Sequence, residues 1–196
     1  EKVSLKILFN ITAHEYFSFD KLKDIDEIVI ISSGQFSNSL KKGVWSYYYP
    51  SGTIKTKTNY LKGKSSGLYQ KYNEEGQILE LGTFSNNRCK GLYLKYYING
   101  NIEQRKIFNN NGWINGIVKY YYPNERIKII TMFIDGKQNG YMLELNQGGG
   151  IKAVEYYLNS KKIDTVFTDS TQIFSLMEYA IIDNNNAERK EEIIQK

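Results

Sequence analysis

The chain has 196 residues, with 26 basic and 21 acidic side chains and a formal net charge of +5. One histidine and one cysteine are present, which excludes an intramolecular disulfide and a metal site built from several His and Cys ligands. The sequence contains no apolar run of about 18 residues, the length that a membrane-spanning helix requires.

The first 35 residues, 1–35, are predicted to form an N-terminal cap that includes a degenerate first repeat. Residues 3–12 have the composition of a strand, and Ser18 is a suitable N-cap for a short helix over 18–27. Phe36 lies 24 residues before Tyr60, so segment 28–36 is predicted to supply the return strand of that early repeat. The chain starts at Glu1 rather than Met, which a cleaved signal peptide or cloning would explain. We expect a bacterial cell-envelope or secreted location slightly ahead of a cytoplasmic one.

A 24-residue period governs the chain from Gly43 onwards. Five repeats begin at the glycines in positions 43, 67, 91, 116 and 140, and the third repeat is one residue longer than the others. Four further columns recur at fixed distances from the opening glycine. The sixth position holds Tyr48, Tyr72, Tyr96, Tyr121 and Leu145; the tenth holds Gly52, Gly76, Gly100, Glu125 and Gly149; the twelfth holds Ile54, Ile78, Ile102, Ile127 and Ile151; the eighteenth holds Tyr60, Phe84, Phe108, Phe133 and Tyr157. Self-similarity of this kind indicates a solenoid of stacked units.

Each repeat has the pattern of a β-hairpin. Positions 2–7 are rich in Tyr, Val, Ile and Leu, which favour extended backbone, and positions 8–10 carry turn residues such as Pro50-Ser51-Gly52. Positions 12–18 form the return strand, and a second turn such as Asp135-Gly136-Lys137 leads to the next opening glycine. The predicted fold class is therefore mainly β, an elongated antiparallel single-sheet solenoid of tandem β-hairpin repeats over residues 36–163.

Strand alternation assigns the side chains of each hairpin to the two faces of the sheet. Positions 6, 12 and 18 are all even, so we expect their Ile and aromatic side chains to form one stripe on one face. The opening glycine is expected to permit a tight bend or a close approach of backbone that a Cβ would block.

The last segment, residues 164–196, is predicted to be a short C-terminal helical cap followed by a polar tail. Its apolar residues recur at helical spacing: Ile173, Phe174, Met177, Ile181 and Ile182. We expect the apolar side of this helix to cover the last hairpin, since the terminal strand of an open solenoid exposes an unpaired edge.

The repeats resemble MORN repeats, and the motifs GVWSYYYPSG and FIDGKQNG are most similar to those of the bacterial MORN-variant group. The resemblance covers about 120 of the 196 residues and implies a β-hairpin solenoid. It also implies a role as a scaffold, a lipid-associated module or a toxin-neutralising, antitoxin-like partner, because members of the family serve in all three ways. Glu125 replaces the turn glycine and Leu145 the tyrosine, so the fourth and fifth repeats depart from the pattern.

Residues suited to catalysis are scarce, and the sequence predicts a non-enzymatic protein without cofactor or metal. His14 has no nucleophile motif near it, and Glu74-Glu75 lie in a turn. Cys89 occupies a turn position without an activating group nearby, and Gly148-Gly149-Gly150 lacks the Lys-Ser/Thr that follows a phosphate-binding loop.

Protein binding is the predicted function, because Tyr-rich strands and exposed tryptophans are frequent in protein interfaces. The alternative is peripheral association with anionic membrane lipids, since residues 43–163 carry 17 basic and eight acidic side chains. This charge is too diffuse to indicate nucleic-acid binding, and the oligomeric state stays open, as does the choice between an immunity role and a cell-envelope scaffold. The candidate partner-binding residues are Tyr47, Tyr49, Tyr97, Trp113, Tyr120 and Tyr122.

Overall fold

The structure is a computed structural model that describes residues 7–12 and 28–163. The chain divides into two compact units, of which unit 1 ends at Trp113 and unit 2 begins at Ile114. The described residues of unit 1 form β1 (Ile7–Thr12), β2 (Ile28–Ser37), β3 (Leu40–Tyr48), β4 (Ile54–Leu61), β5 (Lys64–Tyr72), β6 (Ile78–Ser85), β7 (Arg88–Tyr96) and β8 (Ile102–Phe108). Those of unit 2 form β9 (Gly116–Tyr121), β10 (Ile127–Ile134), β11 (Lys137–Leu145), β12 (Ile151–Leu158) and β13 (Lys161–Ile163).

Within each unit, each strand pairs with its neighbour in the chain, as a hairpin array requires. The pairing is antiparallel from β2 to β8 in unit 1 and from β9 to β13 in unit 2. The predicted antiparallel β-hairpin fold of the repeats is therefore confirmed. The predicted helices at 18–27 and in the C-terminal cap, like His14, lie outside the described residues. Within the part that the structure describes, no helix is long and apolar enough to cross a membrane.

The first strand departs from the expected antiparallel arrangement, because β1 pairs with β2 in parallel. Residues 13–27 connect the two strands. A connection of this length allows the chain to return to the same end of the sheet, whereas a tight turn forces the antiparallel direction.

Two kinds of turn join the strands. In two-residue turns both central residues have positive φ, as at Asn86 (50°) and Asn87 (65°). This is the signature of type I′ turns, whose twist matches that of paired strands. The longer turns share one hydrogen-bond pattern: the Tyr49 N–H donates to the Thr53 carbonyl at 2.8 Å, and the Gly52 N–H donates to the Tyr49 carbonyl at 2.9 Å.

The opening glycines are explained by backbone conformation more than by close approach. Gly43 and Gly91 have φ values of 68° and 71°, and an added Cβ would meet no atom within 4 Å at either residue. Gly67 alone among the five combines a positive φ of 114° with a tight contact, since its Cβ would lie 2.9 Å from Asn59 Nδ2. A side chain at these positions is disfavoured chiefly because L-residues rarely adopt positive φ.

A β-bulge in every return strand divides the predicted stripe between the two faces. In the first repeat Tyr47 lies opposite Thr56, but the next residue, Tyr48, lies opposite Ile54. The extra residue between the two partners reverses the alternation, so Tyr60 lies on the other face from Ile54. The same shift recurs in the other four repeats. The prediction that positions 6, 12 and 18 share one face is therefore wrong. Positions 6 and 12 lie on one face, and position 18 lies on the opposite face together with positions 3 and 5.

Candidate binding faces

One face of unit 1 is lined by aromatic rings from the third and eighteenth positions of the hairpins. These rings pack edge to face: Tyr69 and Phe84 have ring centroids 5.2 Å apart, and Trp45 and Tyr60 have centroids 6.3 Å apart. We call this surface the aromatic face. It comprises Lys41, Trp45, Tyr47, Tyr60, Tyr69, Lys71, Glu80, Phe84, Tyr93, Lys95, Lys106 and Phe108.

Trp45 forms the centre of the aromatic face in the first repeat and is fully buried. Its indole N–H donates to the Gln35 carbonyl at 3.1 Å, and Lys41 Nζ lies 4.2 Å from its ring centroid. Lys41 also donates to the Tyr47 hydroxyl at 2.7 Å, and the Tyr47 and Tyr60 hydroxyls are 3.0 Å apart. The cation–π contact and these hydrogen bonds fix the rings relative to one another.

Glu80 forms a second cluster on the aromatic face. Its carboxylate accepts hydrogen bonds from Tyr93 at 2.5 Å and from Lys71 at 2.9 Å, and the Tyr69 hydroxyl lies at 3.5 Å. Burial alone would raise the pKa of Glu80, but the hydrogen bonds from Tyr93 and Lys71 outweigh burial, and the pKa is lowered. Burial and then the neighbouring carboxylate raise the pKa of Tyr69 to about 12. The cluster is thus a hydrogen-bonded ion pair whose phenols stay protonated at neutral pH.

Cys89 lies on the same face, opposite Phe84. Burial raises the pKa of its thiol, and the nearby charge of Lys106 does not offset this effect. A thiol in this state is a poor nucleophile, since the thiolate is the reactive form. The described residues contain no group of three or more His, Cys, Asp and Glu side chains that could hold a metal ion.

The opposite face of unit 1 combines cations with exposed aliphatic side chains. Val44 is 61% exposed and Leu68 is 51% exposed, although both lie on strands. Within residues 28–113, the strand positions of this face carry six basic residues and no acidic one. We call it the basic face, and it comprises Lys42, Val44, Lys57, Lys64, Leu68, Arg88, Lys90, Leu92, Arg105 and Ile107.

The four acidic residues of segment 28–113 are placed elsewhere. Glu80 and Glu103 form ion pairs with Lys71 and Lys95 of the aromatic face, at 2.9 and 2.8 Å. Glu74 and Glu75 lie in the turn between β5 and β6. Among the described residues, Lys57, Lys64, Arg88 and Lys90 of the basic face therefore have no carboxylate partner, because Glu80 and Glu103 pair with lysines on the other side of the sheet.

The corresponding face of unit 2 is buried in part, although Met132 and Ile151 remain exposed there. Tyr141, which occupies the same repeat position as Val44 and Leu68, is 9% exposed. Ile130 and Leu143 form a hydrophobic core there, against which Ile117, Ile127 and Leu145 pack. The second repeat position is thus exposed at Val44 and Leu68 and buried at Tyr141. It is half-buried at Leu92 in unit 1 and at Ile117 in unit 2.

Two of the predicted partner-binding residues hold neighbouring repeats together. The Tyr49 hydroxyl donates to the Tyr72 carbonyl at 2.8 Å, and the Tyr122 hydroxyl donates to the Leu145 carbonyl at 2.9 Å. Each bond joins the seventh residue of one repeat to the sixth residue of the next. These two hydroxyls are therefore engaged within the fold.

The other four candidates lie in different surroundings. Tyr47 belongs to the Trp45 cluster, and half-buried Tyr120 occupies the equivalent fifth position of the fourth repeat. Tyr97 opens a longer turn, where its N–H donates to the Asn101 carbonyl. Trp113 closes the inserted loop of the third repeat and is 51% exposed, and the Asn109 N–H donates to its carbonyl at 2.8 Å. The structure does not bring the six into one cluster.

Sequence reasoning overlooked the exposure of Val44 and Leu68. The signal was present, since the second repeat position is apolar in all five repeats: Val44, Leu68, Leu92, Ile117 and Tyr141. Aliphatic residues in a strand are ordinarily assigned to a core, and only the structure shows that Val44 and Leu68 are exposed.

Residues 41–62 and 66–86 match a family model described as the MORN repeat variant. These stretches coincide with the hairpins β3–β4 and β5–β6. These two hairpins are therefore MORN-variant repeats. The hairpins that begin at positions 91, 116 and 140 share the register and bulge of the matched pair.

Several solved structures show weak similarity to the chain. A mutant of S. aureus TarM in complex with fondaparinux, alpha-GlcNAc-glycerol and UDP has 11% identity and a TM-score of 0.35, covering 50% of this chain and 19% of that one. A second TarM structure has 10% identity and a TM-score of 0.35, with coverages of 66% and 33%. The GtfA/B complex bound to UDP and GlcNAc has 9% identity and a TM-score of 0.25, with coverages of 59% and 22%.

The chain thus spans a third or less of the length of each of these proteins. Similarity at this level supports no functional inference. No curated protein matches the chain.

Proposed function

We propose that the chain is a non-enzymatic module that binds a protein partner through the sheet of unit 1. The observation that supports this proposal is the exposure of large aliphatic side chains on strands, with Val44 and Leu68 more than half exposed. Such side chains are stabilised when a partner removes them from water. MORN repeats act generally as interaction modules, which agrees with a binding role.

The six sequence-derived residues remain part of this proposal. Trp113 is the strongest of them, because an exposed indole on a loop buries a large area when a partner covers it. Tyr47 lies on the aromatic face of unit 1 and Tyr120 lies in unit 2, so each is proposed as a separate contact, secondary to Val44 and Leu68.

A toxin-neutralising role and a cell-envelope scaffold differ in the binding behaviour that they require. Neutralisation requires one partner, held tightly and in stoichiometric amount. A scaffold requires several partners of lower affinity. We propose the two as alternatives within the binding class.

Affinity capture from a lysate of the source organism tests the proposal. The wild-type chain is compared with Val44→Ser/Leu68→Ser and with Trp113→Ala, and bound proteins are identified by mass spectrometry. We expect a protein that is retained by the wild type at a defined ratio, rebinds after purification, and is lost with at least one variant. Retention of the same proteins by all three chains would contradict specific binding through these surfaces.

Association with anionic lipid is a second candidate, supported by the charge of unit 1. Residues 28–113 carry 12 basic and four acidic side chains. Flotation with vesicles of anionic phospholipid tests it, since electrostatic attachment weakens as salt rises. Recovery in the floating fraction at low salt and release at high salt would support lipid binding; absence from that fraction at low salt would exclude it.

A further inference from the structure

Three aliphatic residues of the basic face form a row that crosses the strands. Val44 and Leu68 are exposed, and Leu92 is half-buried. Val44, Leu68 and Leu92 occupy the second repeat position on β3, β5 and β7. Two strand spacings separate successive members, which is about 9.6 Å. Two turns of an α-helix rise about 10.8 Å. The two distances are similar. A helix that lies across the strands and has an apolar side chain at every second turn would therefore contact each of the three residues.

Cations lie on both sides of this row. Lys64, Arg88 and Lys90 are exposed and lie toward the two-residue turns. Lys57 and Arg105 lie on the other side, toward the longer turns. Lys57, Lys64, Arg88 and Lys90 form no ion pair within the described ranges 7–12 and 28–163.

We propose that the basic face of unit 1 binds an acidic amphipathic helix of the partner protein. This inference rests on the proposed function and specifies the chemistry of the partner. The apolar side of the helix covers Val44, Leu68 and Leu92, and carboxylates along both of its margins meet the flanking cations. This arrangement is the helix-in-groove mode, in which apolar anchors supply affinity and charges set orientation.

The geometry favours a helix over a bilayer for this face. A membrane-binding surface must place apolar side chains beyond the headgroups, roughly 5–10 Å into the interface. Val44 and Leu68 are shorter than the lysines and arginines that flank them, so the cationic groups would reach the headgroups first. A helix, by contrast, brings its own apolar side chains down to the row while its carboxylates reach sideways.

A synthetic peptide provides the test with the full chain. The probe is a fluorescein-labelled helical peptide of about 21 residues, long enough to span roughly 30 Å, with leucine at every seventh position flanked by glutamates and alanine elsewhere. A second peptide replaces each glutamate with lysine. We expect fluorescence anisotropy to show saturable binding of the acidic peptide and none of the basic peptide.

Two matched variants locate the site. Lys64→Glu/Arg88→Glu reverses two exposed charges at the twenty-second repeat position in unit 1, and should weaken peptide binding about tenfold. Lys137→Glu/Lys161→Glu makes the same change of charge at the same repeat position in unit 2, and should leave binding within about twofold. Val44→Ser/Leu68→Ser should weaken it about tenfold. Circular dichroism confirms that each variant is folded.

Absence of peptide binding, or equal loss with both charge variants, would overturn the inference. The inference would also be overturned if the chain bound anionic phospholipid vesicles through Lys64 and Arg88 but did not bind the peptide. That result would assign the basic face to a membrane. If the captured protein binds the Lys64→Glu/Arg88→Glu chain normally, the helix inference fails and the protein-binding function stands. If no protein is captured by the wild type, the function itself fails.

Discussion

The bonds from Tyr49 and Tyr122 to the next repeat allow a stability prediction that separates folding from binding. Tyr49→Phe removes a 2.8 Å hydrogen bond to the Tyr72 carbonyl, and Tyr122→Phe removes a 2.9 Å bond to the Leu145 carbonyl. Each loss should destabilise the chain by about 1 kcal/mol, the usual net value of one such bond. For a chain of this length the melting temperature should fall by about 2–4 °C per variant. The two effects should add, because the residues share no partner.

Tyr120→Phe is the matched control. Its hydroxyl has no hydrogen bond with any of the described residues, so the change should alter the free energy of unfolding by less than about 0.5 kcal/mol. Thermal and urea unfolding followed by circular dichroism measure all three variants. If Tyr49→Phe and Tyr122→Phe unfold like Tyr120→Phe, these hydroxyls do not stabilise the repeat array and are available for partner contact.

Three further changes test the packing, the turns and the ion pair. Gly34→Ala places a Cβ 2.3 Å from the buried Trp45 ring and should cost roughly 1–3 kcal/mol of stability; an unchanged melting temperature would contradict this packing. Glu125 holds a φ of 67° where the other repeats have glycine, so Glu125→Gly should stabilise the chain by about 0.5–1 kcal/mol, and a lower melting temperature would refute the assignment of strain. The pKa of Glu80 is lower in the folded chain than its ordinary value of 4.5, so the ionised carboxylate stabilises the fold above pH 4.5, and this stability is lost as pH falls through the folded pKa. Glu80→Gln should therefore unfold at a lower temperature at pH 7 and lose less stability on acidification. Melting curves over a series of pH values check this.

The repeat pattern was sufficient to predict the strands and turns. Columns of glycine, isoleucine and aromatic residues place each hairpin, and local residue preferences decide the turns because type I′ geometry requires residues that tolerate positive φ. The assignment of faces failed because the bulge adds one residue whose identity varies, from Lys55 to Leu79 to Glu103. The sequence does contain a signal for the correct faces. In the first three repeats both position 3 and position 18 are aromatic, and the two rings pack together on one face.

The candidate site was less predictable than the fold. The sequence suggests that Tyr49 and Tyr122 are surface residues available to a partner, yet only the structure shows that their hydroxyls donate hydrogen bonds to the next repeat. Val44 and Leu68 look like core residues because they are aliphatic and lie in strands. Exposure depends on what covers a face, and the same repeat position is exposed at Val44 and Leu68 but buried at Tyr141.

Photo-crosslinking from two positions of β3 tests the central claim most directly. Val44 and Tyr47 lie on the same strand but on opposite faces, so a benzophenone amino acid at either position samples one face of the same hairpin. In a lysate of the source organism, we predict that position 44 gives the major covalent protein adduct and that position 47 gives a much lower yield of it. Adducts from position 47 alone would contradict binding at the basic face, and no protein adduct from either position would contradict the assignment of the chain as a protein-binding module.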